Sequence, residues 1–340
     1  MRRRLLPLLL LAPLAAAQPA AAADPWERQN ESFACADDTG SKPFYNGDSA
    51  SKVYDSAFAL GHDIPQAMLD GYVPQGLGTW DGLLLQTAYN DDTHRAVVVG
   101  MVPGGGSTQM PVLVRPGNKG FVDAHVGGVA VVGAWMFVAG PTVDGLPTIL
   151  RFPLDRVRKR LADGQPLKAG AELKVNVGTA GFAASFLAAE GSTIWAGTFD
   201  DDSRNRMYQL QVGPKGGLAR VGGPGNWRQI PKKTQGLAVT PGHFLFSTSY
   251  GSKNRSNVYV VRRGKKFLDN AYPQDLTCFA APSMSEGITV LGDQAFLTFE
   301  SGSFRYRADP CDKPVFEGDC TRNVITHLHR APVGSLVGMT

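Results

Sequence analysis

The chain has 340 residues, 43% of them hydrophobic, and a formal net charge of only +4. No basic block reaches five residues, which argues against a nucleic-acid partner because such proteins carry a larger basic footprint. The 40 glycines and 23 prolines predict many tight turns between short strands instead of a helical bundle.

The first 23 residues have the composition of a secretory signal peptide. Three arginines at 2–4 precede an apolar stretch at 5–14, and residues 15–23 are mostly alanine with A-x-A cleavage sites. The apolar stretch is shorter than the roughly 20 residues that a membrane-spanning helix needs, so a membrane anchor is the less favoured alternative. We therefore expect a secreted, extracellular protein without a membrane span, and residues 1–23 are excluded from the fold.

The remainder of the chain contains a repeat. Five segments each run into a short apolar strand, a tight turn and a second strand. The equivalent positions are Gln75, Gly127, Ser185, Gln235 and Glu286, at steps of 52, 58, 50 and 51 residues. One clear amphipathic helix, around Leu154 to Leu161 with a basic outer face, interrupts the series.

A period near 50 residues with three to four short strands per unit is typical of a β-propeller. One small twisted sheet cannot bury both faces, whereas five sheets packed around an axis can. The sequence predicts an all-β protein with a five-bladed propeller at 73–340. Residues 24–72 are expected to supply a strand that closes the ring, and the alternative is a sixth blade within 40–72.

Four cysteines in an exported chain predict two disulfides that tie the ring. Cys311 and Cys320 bracket a short polar loop and are expected to pair. Cys35 and Cys278 are then left to pair, which would pin the N-terminal segment to a late part of the ring.

The fourth unit, Thr234-Gln235-Gly236-Leu237 through residues 246–251, resembles a blade of the plant and bacterial glutaminyl cyclases, which are five-bladed propellers. The fifth unit, Ser285-Glu286-Gly287-Ile288 through Asp293, is similar to the E-G-L-T-L-L-G blade of that family. It is similar, more weakly, to the E-G-I blade start of the calcium-dependent apyrases. The resemblance implies that Glu286 is an acid/base group near the axis and that the activity is an acyl transfer.

The repeat position opens each innermost strand, so its side chains are expected to meet in the central channel. Convergent polar groups in a concave opening are the default binding site. We expect Glu286 and His125 to be the catalytic residues of acid/base chemistry, and Gln75, Gln235 and Ser185 to bind the substrate. The expected substrate is a small molecule or a peptide end, and the expected assembly is a monomer. Calcium or zinc in the channel is left open as a cofactor.

Two alternatives remain at this stage. The polar residues at the axis can instead bind only channel waters and satisfy strand ends. The protein can also be a non-catalytic propeller that binds a glycan or a partner protein in equivalent pockets between blades, lined by arginines and tryptophans. The residues in question are Arg95, Arg206, Arg255, Arg305, Trp80, Trp135 and Trp195. Serine hydrolase chemistry is disfavoured because Ser185 lacks the G-x-S-x-G motif.

Overall fold

The computed structural model describes residues 28–308, except 103, 118, 180 and 224, together with residues 321–340. The expected signal peptide at 1–23 and the expected pairing of Cys311 with Cys320 both lie outside the described residues.

The described chain is mostly short antiparallel strands, which are arranged in five sheets around an axis. An N-terminal segment contains helix α1 (Lys52–Ala57), strand β1 (Ala59–Asp63) and helix α2 (Gln66–Gly71). The first blade contains β2 (Val73–Trp80), β3 (Leu83–Tyr89) and β4 (Ala96–Met101), and is followed by the short strand β5 (Leu113–Val114). The second blade and its insertion contain β6 (Val129–Val132), β7 (Trp135–Val143), β8 (Leu146–Pro153), α3 (Leu154–Asp163), β9 (Leu167–Lys168) and β10 (Ala171–Lys174).

The other three blades follow the same plan. The third contains β11 (Phe186–Glu190), β12 (Thr193–Gly197), β13 (Asn205–Val212), β14 (Leu218–Arg220) and β15 (Trp227–Ile230). The fourth contains β16 (Thr234–Val239), β17 (His243–Thr248), β18 (Ser256–Arg262) and β19 (Leu276–Ala281), with a 3-10 turn at Leu268–Asn270. The fifth contains β20 (Ser285–Leu291), β21 (Gln294–Phe299), α4 (Phe304–Arg307) and β22 (His327–Pro332), and α5 (Val333–Val337) follows.

The five inner strands form a closed ring, which confirms the five-bladed propeller. Each of β2, β6, β11 and β16 contacts the inner strand of the next blade, and β20 contacts β2. Five buried apolar clusters fill the spaces between neighbouring blades. Because side chains alternate along a strand, each blade serves two clusters: Leu84 of β3 packs toward the fifth blade and Leu85 toward the second.

Glycines allow the inner strands to approach one another near the axis. A Cβ built on Gly287 of β20 would lie 2.8 Å from the carbonyl carbon of Gly76 and closer still to the nitrogen of Leu77, both on β2. A Cβ on Gly236 of β16 would lie 2.7 Å from the nitrogen of Ile288. The partners are backbone atoms that cannot swing aside, so the repeated glycine is required by the backbone packing.

The fifth blade is completed by the N-terminal segment. Strand β1 pairs antiparallel with β22, with Ala59 opposite Arg330 and Leu60 opposite His329. The sheet order is therefore β20, β21, β22 and then β1 at the outer edge.

A disulfide joins Cys35 to Cys278 of β19, as predicted. Next to it, the Ala36 amide donates to the Cys278 carbonyl at 2.9 Å, and the Ala280 amide donates to the Ala36 carbonyl at 2.8 Å. The segment around Cys35 is thereby held against the outer strand of the fourth blade.

The amphipathic helix is also present, as α3. It buries Val157 and Leu161 and ends at Gly164, which adopts a left-handed φ of 71°. Within the described ranges, no helix is long and apolar enough to cross a membrane.

Candidate active site

A cavity of about 500 Å³ lies at the end of the ring where the inner strands begin. We call it the central cavity. Its wall includes four residues that the sequence singled out, namely Gln75, His125, Ser185 and Gln235. Glu286 is only 2% exposed and is not part of the cavity wall. Another glutamate, Glu300, lines the cavity instead.

β-Bulges occur at the repeat motif in three of the five inner strands. The pairing register shifts between Pro74 and Leu77 in β2, between Thr234 and Gly236 in β16, and between Ser285 and Ile288 in β20. A bulge inserts an extra residue and re-aims its side chain. These irregularities therefore set the directions of Gln75, Gln235 and Glu286.

Glu286 and Glu300 form a coupled pair of carboxyl groups. Burial raises the pKa of Glu286 well above its usual range, and the charge of Glu300 raises it further. Burial also raises the pKa of Glu300, to about 7, although the residue as a whole is only partly buried. The side-chain amide of Gln75 donates to Oε1 of Glu300 and opposes that rise. The two groups therefore resist being ionised together, and the pair keeps a proton at neutral pH.

Two tyrosines stand beside this pair. Burial and the nearby glutamates raise the pKa of Tyr89 to about 12, and the pKa of Tyr306 is raised for the same reasons. A side-chain hydrogen bond links the two tyrosines. Both hydroxyls remain protonated at neutral pH; Tyr306 donates its proton to the Tyr89 oxygen, which leaves the Tyr89 hydroxyl free to donate into the cavity. Arg305 ion-pairs with Asp91 at this rim.

His125 lies at the exposed rim of the cavity. Its ring stacks on Tyr89 with centroids 4.5 Å apart and an interplanar angle of 23°. Neighbouring residues still exclude enough water that this partial burial lowers the pKa of His125. The charge of His94 lowers it further. The imidazole is therefore neutral at physiological pH.

Ser185 is not arranged as a nucleophile. Its Oγ accepts a hydrogen bond from the Phe199 amide at 2.9 Å. No hydrogen bond joins Ser185 to a histidine or carboxylate among the residues that the structure describes. A serine nucleophile needs an adjacent base that removes its proton. Ser185 instead uses its hydroxyl to hold the backbone at Phe199.

The sequence reasoning missed Glu300 and the aromatic wall. An aromatic residue follows the second strand in four units, and three of these, Tyr89, Phe199 and Tyr250, line the cavity. In the fifth unit the aromatic Phe299 is fully buried, and the next residue, Glu300, reaches the cavity. The repeated aromatic position was the signal that could have identified this wall.

The repeated arginines do not share one environment. Arg95 stacks on Phe121, Arg206 stacks on Trp227, and Arg305 ion-pairs with Asp91. The tryptophans differ as well: Arg158 covers Trp80, Arg151 covers Trp135, and Trp195 is buried and donates to Glu190 at 2.7 Å. The equivalent pockets that a binding propeller would carry are therefore not formed by these residues.

Metal ligands are not grouped in this part of the protein. Across the described residues, no cluster of three or more histidine, cysteine, aspartate or glutamate side chains could hold an ion. We therefore assign no role to the calcium or zinc left open by the sequence.

Comparison with known proteins adds the following. No family model matches the sequence, and no curated protein matches it. Among solved structures, the GH43_1 enzyme from Xanthomonas citri complexed with xylotriose superposes with a TM-score of 0.44 at 12% identity, over 80% of this chain and 90% of that one. A gluconolactonase from Xanthomonas campestris gives a TM-score of 0.39 at 12% identity, over 87% and 98%. A luciferin-regenerating enzyme gives 0.41 at 11% identity, over 81% and 95%. At these values the likenesses carry no argument about activity, and the resemblance to glutaminyl cyclases stays a prediction.

Proposed function

We propose that the chain is an exported enzyme that performs acid/base chemistry in the central cavity. The observation that carries this proposal is the coupled pair of Glu286 and Glu300, one of which lines the cavity with a pKa of about 7. A group with a pKa near the working pH is the most effective proton-transfer catalyst. A buried carboxyl group close to a second, partly buried one is also costly to maintain, which favours a functional role.

The reaction that we propose is the cyclisation of an N-terminal glutamine. The neutral α-amino nitrogen of the substrate attacks the side-chain amide carbon, and as the new carbon–nitrogen bond forms the Glu300 carboxylate takes the proton that this nitrogen loses. Glu300 then returns the proton to the leaving nitrogen, the old carbon–nitrogen bond breaks, and ammonia departs. Atoms balance without a cofactor or a covalent nucleophile, in keeping with the hydrogen-bonding role of Ser185.

The neighbouring residues have supporting roles in this scheme. Tyr89, kept protonated and itself accepting from Tyr306, donates a hydrogen bond to the oxygen on which negative charge develops. Gln75 orients Glu300, and Gln235 binds the substrate's amide. Glu286 stays neutral and limits the negative charge in the cavity.

Other observations support the remaining parts of the proposal. A disulfide is typical of oxidising compartments, which agrees with export. The cavity volume, about 500 Å³, suits a small molecule or a peptide end. All of the named groups come from one ring, so we propose that a monomer suffices.

The test is an ammonia-release assay on purified protein lacking residues 1–23, with peptides that begin with glutamine. We expect turnover by the wild type and a loss of at least about 100-fold in Glu300→Gln, the size typical of a lost acid/base group. Asp293→Asn, which removes the same charge at an exposed position, serves as the control and should keep full activity. Absence of ammonia release with every such peptide would rule out cyclisation, and full activity of Glu300→Gln would remove Glu300 from the chemistry.

A further inference from the structure

A second pocket, of about 310 Å³, adjoins the central cavity. Tyr250 lines both, so the two spaces meet at this residue. The second pocket lies between the start of β16, the loop after β17, and the segment around Cys35. We call it the side pocket.

Positive charge dominates the side pocket. Lys232, Lys233 and Arg255 line it, against one carboxylate, the exposed Asp37. A further aspartate outside the lining, Asp201, hydrogen-bonds to the Tyr250 hydroxyl.

Arg255 is the residue that points to a ligand. It is partly buried, and its Nε is fully enclosed with no hydrogen-bond partner. None of the described residues forms an ion pair with its guanidinium. The enclosed Nε is out of reach from the pocket, but an oxyanion in the pocket would pair with the terminal nitrogens of this guanidinium, and hydrogen bonds between two charged groups are the strong ones. The planar fork of arginine matches the two oxygens of a carboxylate, sulfate or phosphate.

The pocket is pre-formed, which lowers the entropy lost on binding. One wall is fixed by the Cys35–Cys278 disulfide and by the backbone pairing of Ala36 with β19. On the opposite side, Lys233 places its Nζ 5.2 Å from the ring centroid of Tyr250, and the Ser249 amide donates to the Lys233 carbonyl at 2.9 Å.

We propose that the side pocket binds an oxyanion carried by the substrate whose reacting end occupies the central cavity. The shared chemistry is a carboxylate, sulfate or phosphate group, placed across Tyr250 from Glu300. This inference rests on the proposed function, because only a substrate has a reacting end. The binding of an oxyanion itself does not depend on catalysis.

The test is calorimetric titration of the protein at low ionic strength with inorganic phosphate, sulfate and succinate in separate arms. We expect saturable binding of at least one of them, and the tightest arm identifies the group. Arg255→Gln should weaken that binding at least tenfold, whereas Lys265→Gln, which removes the same charge at an exposed site outside the pocket, should leave it within twofold. Lack of saturable binding in all three arms, or equal binding by Arg255→Gln, would overturn the proposal.

Two further variants keep the result interpretable. If Arg255→Gln fails to fold, Lys232→Gln provides a second test. It should weaken binding about threefold to tenfold. Unchanged binding by a folded Lys232→Gln would count against the site. Glu300→Gln should bind the oxyanion as the wild type does. Oxyanion binding is measured without turnover, so a wild type that binds an oxyanion but releases no ammonia would contradict only the catalytic proposal. A wild type that releases ammonia but binds no oxyanion would contradict only this one.

Discussion

Glu286 lies close enough to Glu300 that the charge of Glu300 raises the pKa of Glu286. Glu286 lies in β20, and Glu300 directly follows β21, the next strand of the same blade. Two desolvated carboxyl groups in contact resist being ionised together. The pair therefore behaves as one unit that keeps a proton at neutral pH, and its titration can be followed in both activity and stability.

The pH profile of kcat should report on Glu300. The carboxylate form is the active base, so kcat should rise as the pH passes through about 7 and then level off. Gln75→Leu removes the hydrogen bond that lowers the pKa of Glu300, and so should move this limb to higher pH. The measurement is kcat between pH 5 and pH 9 for both proteins.

Gln235→Leu is the matched control, because Gln235 lines the same cavity but forms no hydrogen bond to Glu300 in the described part of the chain. It should change the rate without moving the limb. A limb that stays in place in Gln75→Leu would contradict the role given to Gln75.

Stability should fall as the pH rises through the folded-state pKa of Glu300. That pKa, about 7, lies above the ordinary value of 4.5, so the contribution of the protonated group to stability is complete below about 4.5 and is lost through about 7. Glu300→Gln should thus be more stable than the wild type at pH 8, by on the order of 1–3 kcal/mol, and nearly equal to it at pH 4. Denaturant unfolding at the two pH values measures this difference, and the exposed Asp293→Asn should show no such change. An equal effect of Glu300→Gln at both pH values would contradict the assignment.

Gly287→Ala should destabilise the ring severely. The added methyl group would collide with the backbone of Leu77 and Gly76 on the neighbouring inner strand. We expect a loss of at least about 3 kcal/mol in the free energy of unfolding, because neither strand can shift without disturbing its own blade. In Gly242→Ala, by contrast, nothing lies within 4 Å of the added carbon, and the change should stay within about 0.5 kcal/mol. Similar stability of the two variants would show that the inner ring tolerates expansion.

Replacing both Cys35 and Cys278 with serine should lower the free energy of unfolding by about 2–5 kcal/mol, since the bond closes a loop with a sequence separation of 243. Peptide mapping without reduction should find these two cysteines joined, and it also tests the pairing expected for Cys311 and Cys320. A double variant as stable as the wild type would mean that the backbone pairing at Ala36 alone holds the segment.

The repeat in the sequence was enough to predict the ring, because four of the five units carry a glycine where inner strands touch and an apolar pair follows where blades pack. Gln75 and Gln235 were placed in the cavity for the same reason. Glu300 could not be found this way. Whether the aromatic residue or its neighbour at the end of the second strand faces the channel depends on local geometry, and in the fifth blade Phe299 turns into the core.

The side pocket was beyond the reach of a repeat analysis for a different reason. Arg255 belongs to a series of arginines that look equivalent in the sequence, yet its surroundings are set by the segment around Cys35, which belongs to no blade. Residues that are far apart in the chain meet there only after the disulfide and the ring have formed.

The pairing of β1 with β22 also constrains the order in which the protein can be made. Strand β1 leaves the ribosome before every blade, but the strand that it pairs with is synthesised after all the other strands described here. Until then its edge is open, and an open strand edge is a template for pairing with another chain. A nascent chain stalled before residue 327 would expose both this edge and the unclosed fifth blade, so slow translation late in the message should favour aggregation over folding.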